Sequence, residues 1–525
     1  MPGKRKRVAR DGDEDYSSTS SCSEFEDKTS KISRKRHLTK GSQKRTKRDV
    51  NSTTISELPN LSRNFHSKTI HTLSAIPHIQ EALLDWFTTV RHSRGMPWRK
   101  PYDPNLNAGE RAQRAYEVWI SEIMLQQTQV ATVIPYYNAW MEKFPTIDHL
   151  AASCIEDVNA LWKGLGYYSR ASRLLAGAQK VVKEYGGQLP DNAKDMEANI
   201  PGIGRYSAGA ICSIAYGERA PVLDGNVHRL LSRMLVLHAP PKSKATLDIL
   251  WSAAAAMVSE SEEDGKSGKD CGNKHSGDIN QALIELGSTI CKVRDPSCNL
   301  CPLRIWCHAQ ARQSGQEMEI EDIEDICTLC EPVTDTSDVT RYPMKAERKR
   351  AREETDVVTV VEWCPAPPDT TKQSHFLLLR RPEKGLLAGL YEFPTTFNVS
   401  PSLSPRQITD IGMERVAFAV RGSTARLCEP HSIGGGQQDK SPYAVVDVEF
   451  AGDVHHVFSH IRKTYKVQRI RIAGGEEPPK TEVICVTKDA PNTKHKEALW
   501  VPKDQVAEAN ISTGVVKVWR LVKML

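Results

Sequence analysis

The spacing of apolar side chains changes character along the chain. Residues 1–74 hold few of them and no regular period, so burial cannot offset the entropy of ordering. A disordered tail is expected there. Over residues 75–310 apolar positions recur at helix spacing: Ala82, Leu83, Leu84, Trp86, Phe87 and Val90 form one run, and residues 117–133 and 139–144 continue the pattern. A polar Ser/Glu/Gly/Lys stretch at 259–278 reads as a surface loop. Residues 311–355 are acidic, then basic, and have little period, which predicts a connector. From 356 to 525 the texture becomes strand-like, with β-rich runs at 357–361, 376–379, 444–448 and 483–486. The pattern thus predicts an all-α domain followed by an α+β domain. Gly434, Gly435 and Gly436 read as a flexible turn.

Charge refines this picture. The 525 residues include 71 Lys+Arg and 65 Asp+Glu, a net +6. Residues 1–50 hold 15 basic and 8 acidic side chains, so the tail accounts for the whole surplus. Its clusters Lys4-Arg5-Lys6-Arg7, Arg34-Lys35-Arg36 and Lys44-Arg45 with Lys47-Arg48 read as nuclear import signals. The tail's acidic residues count against a mitochondrial presequence, although a mitochondrial isoform stays open. No apolar run reaches the roughly 18–20 residues of a membrane span, and no signal peptide is expected. Several of the 13 cysteines cluster, and in a non-secreted protein that reads as metal ligation before disulfides.

Cys291, Cys298, Cys301 and Cys307 form C-x6-C-x2-C-x5-C. Four soft thiolates this close suit zinc or an iron–sulfur cluster. The 6-2-5 spacing resembles the [4Fe–4S] loop of the endonuclease III and MutY glycosylases. Lys292, Arg294 and Arg304 lie among the ligands, where cations can position phosphates. Ile200-Pro201-Gly202-Ile203-Gly204 precedes a helical run, and its glycines let backbone N–H groups approach an anion. Asp224 follows Gly204 by twenty residues. Hairpin, Asp and cysteine loop together resemble the helix–hairpin–helix glycosylase superfamily.

Two places point to a branch. Strand-cleaving members carry a Lys two residues after the second hairpin Gly, and here that residue is Tyr206. Without an amine the Schiff-base route loses its nucleophile. Residues 119–130, Trp-Ile-Ser-Glu-Ile-Met-Leu-Gln-Gln-Thr-Gln-Val, resemble the MutY adenine DNA glycosylase signature, as do Pro97-Trp98-Arg99 and Gly164-Leu165-Gly166-Tyr167-Tyr168. The chain is identified as similar to eukaryotic MutY homologues, closely over about 75–310 and more loosely beyond.

The resemblance implies a monofunctional enzyme that flips and excises adenine opposite 8-oxoguanine or guanine in double-stranded DNA. Glu122 would protonate the base and Asp224 would stabilise the sugar cation, with Tyr206 and Asn226 in support. Gln127 and Tyr167 would fill the gap in the duplex. Thr128, Leu165, Gly202 and Gly204 would touch DNA, and Trp98, Arg99 and Gln281 would line the base pocket. Gly385-Leu386-Leu387-Ala388-Gly389-Leu390-Tyr391-Glu392-Phe393-Pro394 resembles the opening of the family's Nudix-like domain, and Phe458-Ser459-His460 its 8-oxoguanine loop. No R-E-x-x-E-E helix follows, which argues against hydrolase activity. The implied fold is therefore an all-α helix–hairpin–helix glycosylase domain with an iron–sulfur loop plus an α+β Nudix-like domain. Mammalian members hold zinc at the connector. Here Cys327 and Cys330 would supply two ligands, with Cys271, His228 or His275 as possible complements, since Ser232 stands where the family has Cys. A monomer is expected, and family analogy adds repair or clamp proteins as connector partners. A lyase-type glycosylase and a non-catalytic iron–sulfur DNA-binding protein are the alternatives.

Overall fold

The structure, a computed structural model, describes residues 66–259, 275–314, 323–333, 338–346, 350–365, 373–382, 387–420, 443–458, 460–481 and 497–524. The strand expected at 483–486, the Gly434–Gly436 turn and Cys271 lie outside the described residues. The chain divides into two compact units. One comprises residues 1–94, 191–198 and 203–346, and the other 95–190, 199–202 and 347–525. Among the described residues no helix is long and apolar enough to cross a membrane.

In the first unit, the helix Ile76–Val90 buries Ile79, Leu83 and Phe87, spaced four apart on one face. It packs against the helix Ser276–Thr289, which also packs against Gly225–Met234. A side chain at Gly287 would stand 2.7 Å from the Asn226 carbonyl oxygen, so this approach needs glycine. The expected tail and connector both differ from expectation at their edges. Residues 66–74 are ordered: Ser67 caps a short 3₁₀ turn, Lys68–His71, and Ile70 and His71 are buried. Ser67 bridges Ile326 of the connector, and Val339 and Tyr342 of the connector pack with Ile70, Val236 and Ala309. The apolar side chains that anchor these edges are too sparse to create a period.

The second unit begins with helices. Asn107 and Glu110 form a capping box on the helix Ala108–Leu125. The helix read through 117–133 is in fact two. The chain breaks after Leu125, Gln127 takes a left-handed φ of +55°, and Val130–Lys143 starts a new helix. Val130 and Val133 preserve the apolar spacing across the break, which hides it from a periodicity argument. The helix Ser169–Tyr185 closes against Trp119 at Gly177, where a side chain would meet the indole at 2.9 Å. Trp140 stacks edge-on against both Phe144 and Trp162.

The same unit carries a seven-stranded sheet: β1 Arg352–Cys364, β2 His375–Arg380, β3 Tyr391–Glu392, β4 Thr395–Thr396, β5 Tyr443–Val457, β6 Ile461–Gly474 and β7 Ala498–Pro502. The order is β3-β2-β1-β6-β5, with β4 on β1 and β7 on β2. β1 and β6 run parallel, and the other pairs are antiparallel. Both faces of the sheet are covered. Val358, Val360, Phe376 and Leu378 join Val518, Trp519 and Val522 of the helix Thr513–Lys523. Val361, Trp363, Leu377 and Leu379 join Val416 of the helix Pro405–Val420. Alternate residues thus feed opposite cores, which is why these strands read as unbroken apolar runs. β1 starts four residues inside the expected connector.

One buried charge cluster ties β1 to β6. Lys463 lies 2.5 Å from Asp356 and 3.1 Å from Glu354, and the sheet register sets Glu354 beside Lys463. Asp356 is fully buried. Lys463→Met would leave the buried Asp356 carboxylate without its cation, while Glu354 keeps Arg352 at 2.5 Å, so it should destabilise this domain by about 3–5 kcal/mol. Denaturant melting followed by tryptophan fluorescence measures it, and a loss within error of zero would refute the role.

Candidate active site, metal centres and family

In the second unit the residues expected on the base side sit on or beside the helix Ala108–Leu125. Glu122 is 9 % exposed, flanked by Ser121 and Ile123, both buried. Trp98 is buried edge-on to Tyr137 at 5.1 Å, and Arg99 is buried as well. At the helix break Gln127 is exposed and Thr128 is half-buried. A second tight loop, residues 163–168, displays Tyr167, whose φ is +50° and which is 46 % exposed. Leu165 and Tyr168 are buried, so Tyr167 is the aromatic side chain this loop offers outward, and Leu165 serves as its anchor. Gly202 adopts φ +84°, and any side chain there would strike Arg173 at 2.7 Å.

In the first unit, Gly204 starts the helix Arg205–Ile211, with Tyr206 half-buried in its first turn. Arg205 stacks on Trp251 at 3.7 Å, a cation–π contact that fixes this helix. Asp224 caps the helix Gly225–Met234. It accepts from the backbone N–H groups of Asn226 and Val227 at 2.9 and 2.7 Å, and from the Asn226 amide at 2.8 Å. The side chain keeps some exposed area but lies below the surface. Desolvation raises its pKa above the ordinary 3.8, against the opposing pull of those bonds and of Arg229. Arg229 donates to Asn226 Oδ1 at 2.9 Å, to the Gly287 carbonyl at 2.6 Å and to the Cys291 carbonyl at 2.9 Å. Gln281 turns its amide back onto the Gly277 carbonyl of its own helix at 3.1 Å.

Cys291, Cys298, Cys301 and Cys307 line one cavity with Leu230, Met234 and Leu303. Burial, with the neighbouring thiols adding to it, pushes Cys301 up to about 12 and Cys307 up to about 11. A bound metal inverts that cost, because thiolates then replace buried thiols. The apolar four-thiol cavity therefore fits a cysteine-held cluster. Arg233, almost fully buried, braces the loop. It donates to Cys291 Sγ at 3.2 Å and to the carbonyls of Lys292 and Val293 at 2.7 and 3.2 Å. Lys292, Arg294 and Arg304 are exposed on this loop.

A second group corrects the expected connector site. The ligand atoms of His66, His71, Cys327 and Cys330 all lie within 4.8 Å of one another. His71 Nε2 is 3.2 Å from Cys327 Sγ and 3.5 Å from Cys330 Sγ, and its Nδ1 meets the Leu235 carbonyl oxygen at 2.8 Å. His228 instead bonds the Pro241 carbonyl, and His275 is half-buried at the start of the helix Ser276–Thr289. Neither joins the cysteines. The completing ligands come from the end of the expected tail. A His-x4-His signal was present in the sequence, but it lies far upstream of its cysteines.

In the sheet domain, Phe458 follows β5 directly and packs edge-on against His456 at 4.6 Å. His460 is exposed at the start of the return strand, and its carbonyl accepts from Arg352 N–H at 3.0 Å. Ser459 lies outside the described residues.

Residues 120–255 match the model of the HhH-GPD superfamily base excision DNA repair protein, and residues 370–521 match that of the NUDIX domain. The chain is 37 % identical to the adenine DNA glycosylase of Rattus norvegicus, over 84 % of this chain and 77 % of the relative. It is 37 % identical to that of Homo sapiens, over 84 % and 73 %, and 36 % identical to that of Mus musculus, over 84 % and 76 %. With the four-cysteine cavity, the capped Asp224 and the covered sheet each in place, these likenesses make the chain a member of the adenine DNA glycosylase family.

Proposed function

We propose that the chain acts on adenine opposite 8-oxoguanine or guanine, and removes it without cutting the strand. Adenine excision in base excision repair follows from the family. The observation that carries the finer reading is the setting of Asp224. Three donors hold its carboxylate still in a desolvated place, which is what stabilising a sugar cation requires. Breaking the N-glycosidic bond also needs a proton on the departing base. Glu122, at the buried end of its helix, supplies that acid and then activates water. Asn226 orients Asp224, and the Tyr206 hydroxyl adds polar support to the cation. Tyr206 offers no amine, so a Schiff-base strand cut has no nucleophile at that place.

Adenine inside a duplex must be flipped out, at a cost of a few kcal/mol. Gln127 and Tyr167, both exposed, fill the vacated gap, while Trp98 and Arg99 border the extruded base. Phe458, Ser459 and His460 read the opposite 8-oxoguanine. Cys291, Cys298, Cys301 and Cys307 hold a [4Fe–4S] cluster, which when bound braces the cationic loop for phosphates. His66, His71, Cys327 and Cys330 hold zinc, the metal that best suits two imidazoles and two thiolates. The basic tail clusters support nuclear import.

Glu122→Gln should abolish single-turnover excision from adenine–8-oxoguanine duplexes and leave duplex binding intact. Normal excision by that variant would remove Glu122 as the acid.

Asp224→Asn should lose excision while keeping the helix cap, because Asn also accepts at that position. Folding raises the Asp224 pKa, so ionisation there costs stability once pH exceeds the unfolded value of 3.8, and fully so above the folded value. The melting temperature of the Asn variant relative to the parent should therefore rise between pH 4 and pH 7, offset by the Asn226 amide bond that an Asn at 224 cannot accept on both atoms. A relative melting temperature that falls over this range would contradict this sign.

Removing a ligand tests the connector metal. His71→Ala should lose one zinc per chain by elemental analysis, with iron unchanged. Equal zinc in the two proteins would refute the site.

A further inference from the structure

Arg170 is a buried cation with no acidic partner among the described residues. It sits in the first turn of the helix Ser169–Tyr185, where the helix dipole opposes a positive charge. Burial lowers its pKa to about 10. A side chain kept in so unfavourable a place has its reason in what it binds. Nη1 donates to the carbonyls of Ile123, Met124 and Gln126 at 2.6, 3.1 and 2.8 Å. The first two are orphan carbonyls of the last turn of the helix Ala108–Leu125, where a cation is favourable. Nη2 donates to the Gly166 carbonyl at 3.1 Å and, weakly, to that of Leu165 at 3.5 Å. The guanidinium also lies over Trp162 at 5.2 Å and Tyr167 at 5.5 Å.

One planar group thus joins the break that displays Gln127 to the loop that displays Tyr167. Both displayed residues have left-handed backbones, which L side chains adopt only when their surroundings impose it. We propose that Arg170 is a positioning residue which sets Gln127 and Tyr167 as a single wedge, so that gap filling and opposite-base holding occur together. The proposal rests on the reading of those two residues as the duplex-filling pair. Its fork geometry matters. A Lys at 170 keeps the charge and can cap the helix carbonyls, but a single ammonium cannot reach across both loops in a plane.

The test uses the full chain with two duplexes under single-turnover conditions. One holds adenine opposite 8-oxoguanine. In the other, adenine faces an abasic analogue, so there is no opposite base to hold and extrusion is cheaper. Arg170→Lys should slow excision from the first by about tenfold to a hundredfold, the scale of an ångström-sized misplacement. It should leave the second little changed, since any general loss of stability from the missing carbonyl bonds would act on both duplexes alike. Arg170→Lys added to the Gln127→Ala, Tyr167→Ala double variant should cost nothing more. Equal slowing on both duplexes, or no slowing on either, would overturn the proposal, as would an additive loss in the triple variant. Should the Gln127, Tyr167 double variant excise normally from the first duplex, the wedge reading itself fails, a result separate from any behaviour of Arg170.

Discussion

Three loops of this protein are held by guanidinium groups bonded to backbone carbonyls. Arg170 gathers the ends of two loops in one unit, and Arg229 and Arg233 fasten the cysteine loop to the helix Gly225–Met234 in the other. A loop presents carbonyls that have no sheet or helix partner, and a buried loop must satisfy them. Arginine suits this need because its five donors lie in one rigid plane and it stays charged even where burial weakens it. Each guanidinium fixes several loop atoms at once, which an isolated backbone bond cannot do. The loops that carry exposed functional side chains therefore need little core of their own.

The metal ligation proposed at the two cysteine sites would be a second fastening of the same kind. The cysteine loop, from Cys291 to Cys307, buries few side chains. Among its described residues the connector buries little more than Val339 and Tyr342, yet it runs beside the turn Lys68–His71, with the Cys327 N–H donating to the His66 carbonyl at 2.9 Å. Chain segments with so little to bury gain order from ligand geometry instead. The two His and two Cys come from opposite ends of the first unit's sequence, so the ion proposed there would close a loop running from His66 to Cys330. Loop-closure entropy grows only slowly with length, but so long a link restricts the unfolded chain more than any local one.

What the sequence made legible, and what it did not, follows from the range of each interaction. Period and composition are local signals. They disclosed the helices that bury Leu83 and Phe87, the covered strands β1 and β2, and the cysteine loop with its 6-2-5 spacing. The break at Gln127 escaped because Val130 and Val133 keep the apolar rhythm across it. The only local trace was the polar run Gln126-Gln127-Thr128-Gln129. His66 and His71 escaped because their partners lie far downstream, and because the two imidazoles themselves stand in a stretch whose polarity reads as disorder. The arginines escaped for a different reason. A buried cation is written in sequence like an exposed one, and nothing in Ser169-Arg170-Ala171 tells which it is. Glu122 and Asp224 were legible through family motifs, whereas the Asn226 and Arg229 contacts that hold Asp224 became visible only in three dimensions.

Charge shows the same division of labour. The +6 resides in the first fifty residues, and the rest of the chain is balanced to within one charge. A balanced fold still presents cations where they count, because some of its arginines are spent inside. Arg170, Arg229 and Arg233 are buried against carbonyls, while Lys292, Arg294 and Arg304 stand exposed on one short loop. Burial thus decides which cations remain at the surface, and that quantity is independent of the sum. Net charge therefore describes the tail, while local placement decides where the fold presents its cations. A variant that alters the total by one at the surface and a variant that alters it by one at Arg233 are equal in arithmetic. They differ in kind, because the second removes a fastening from the loop on which the exposed cations are mounted.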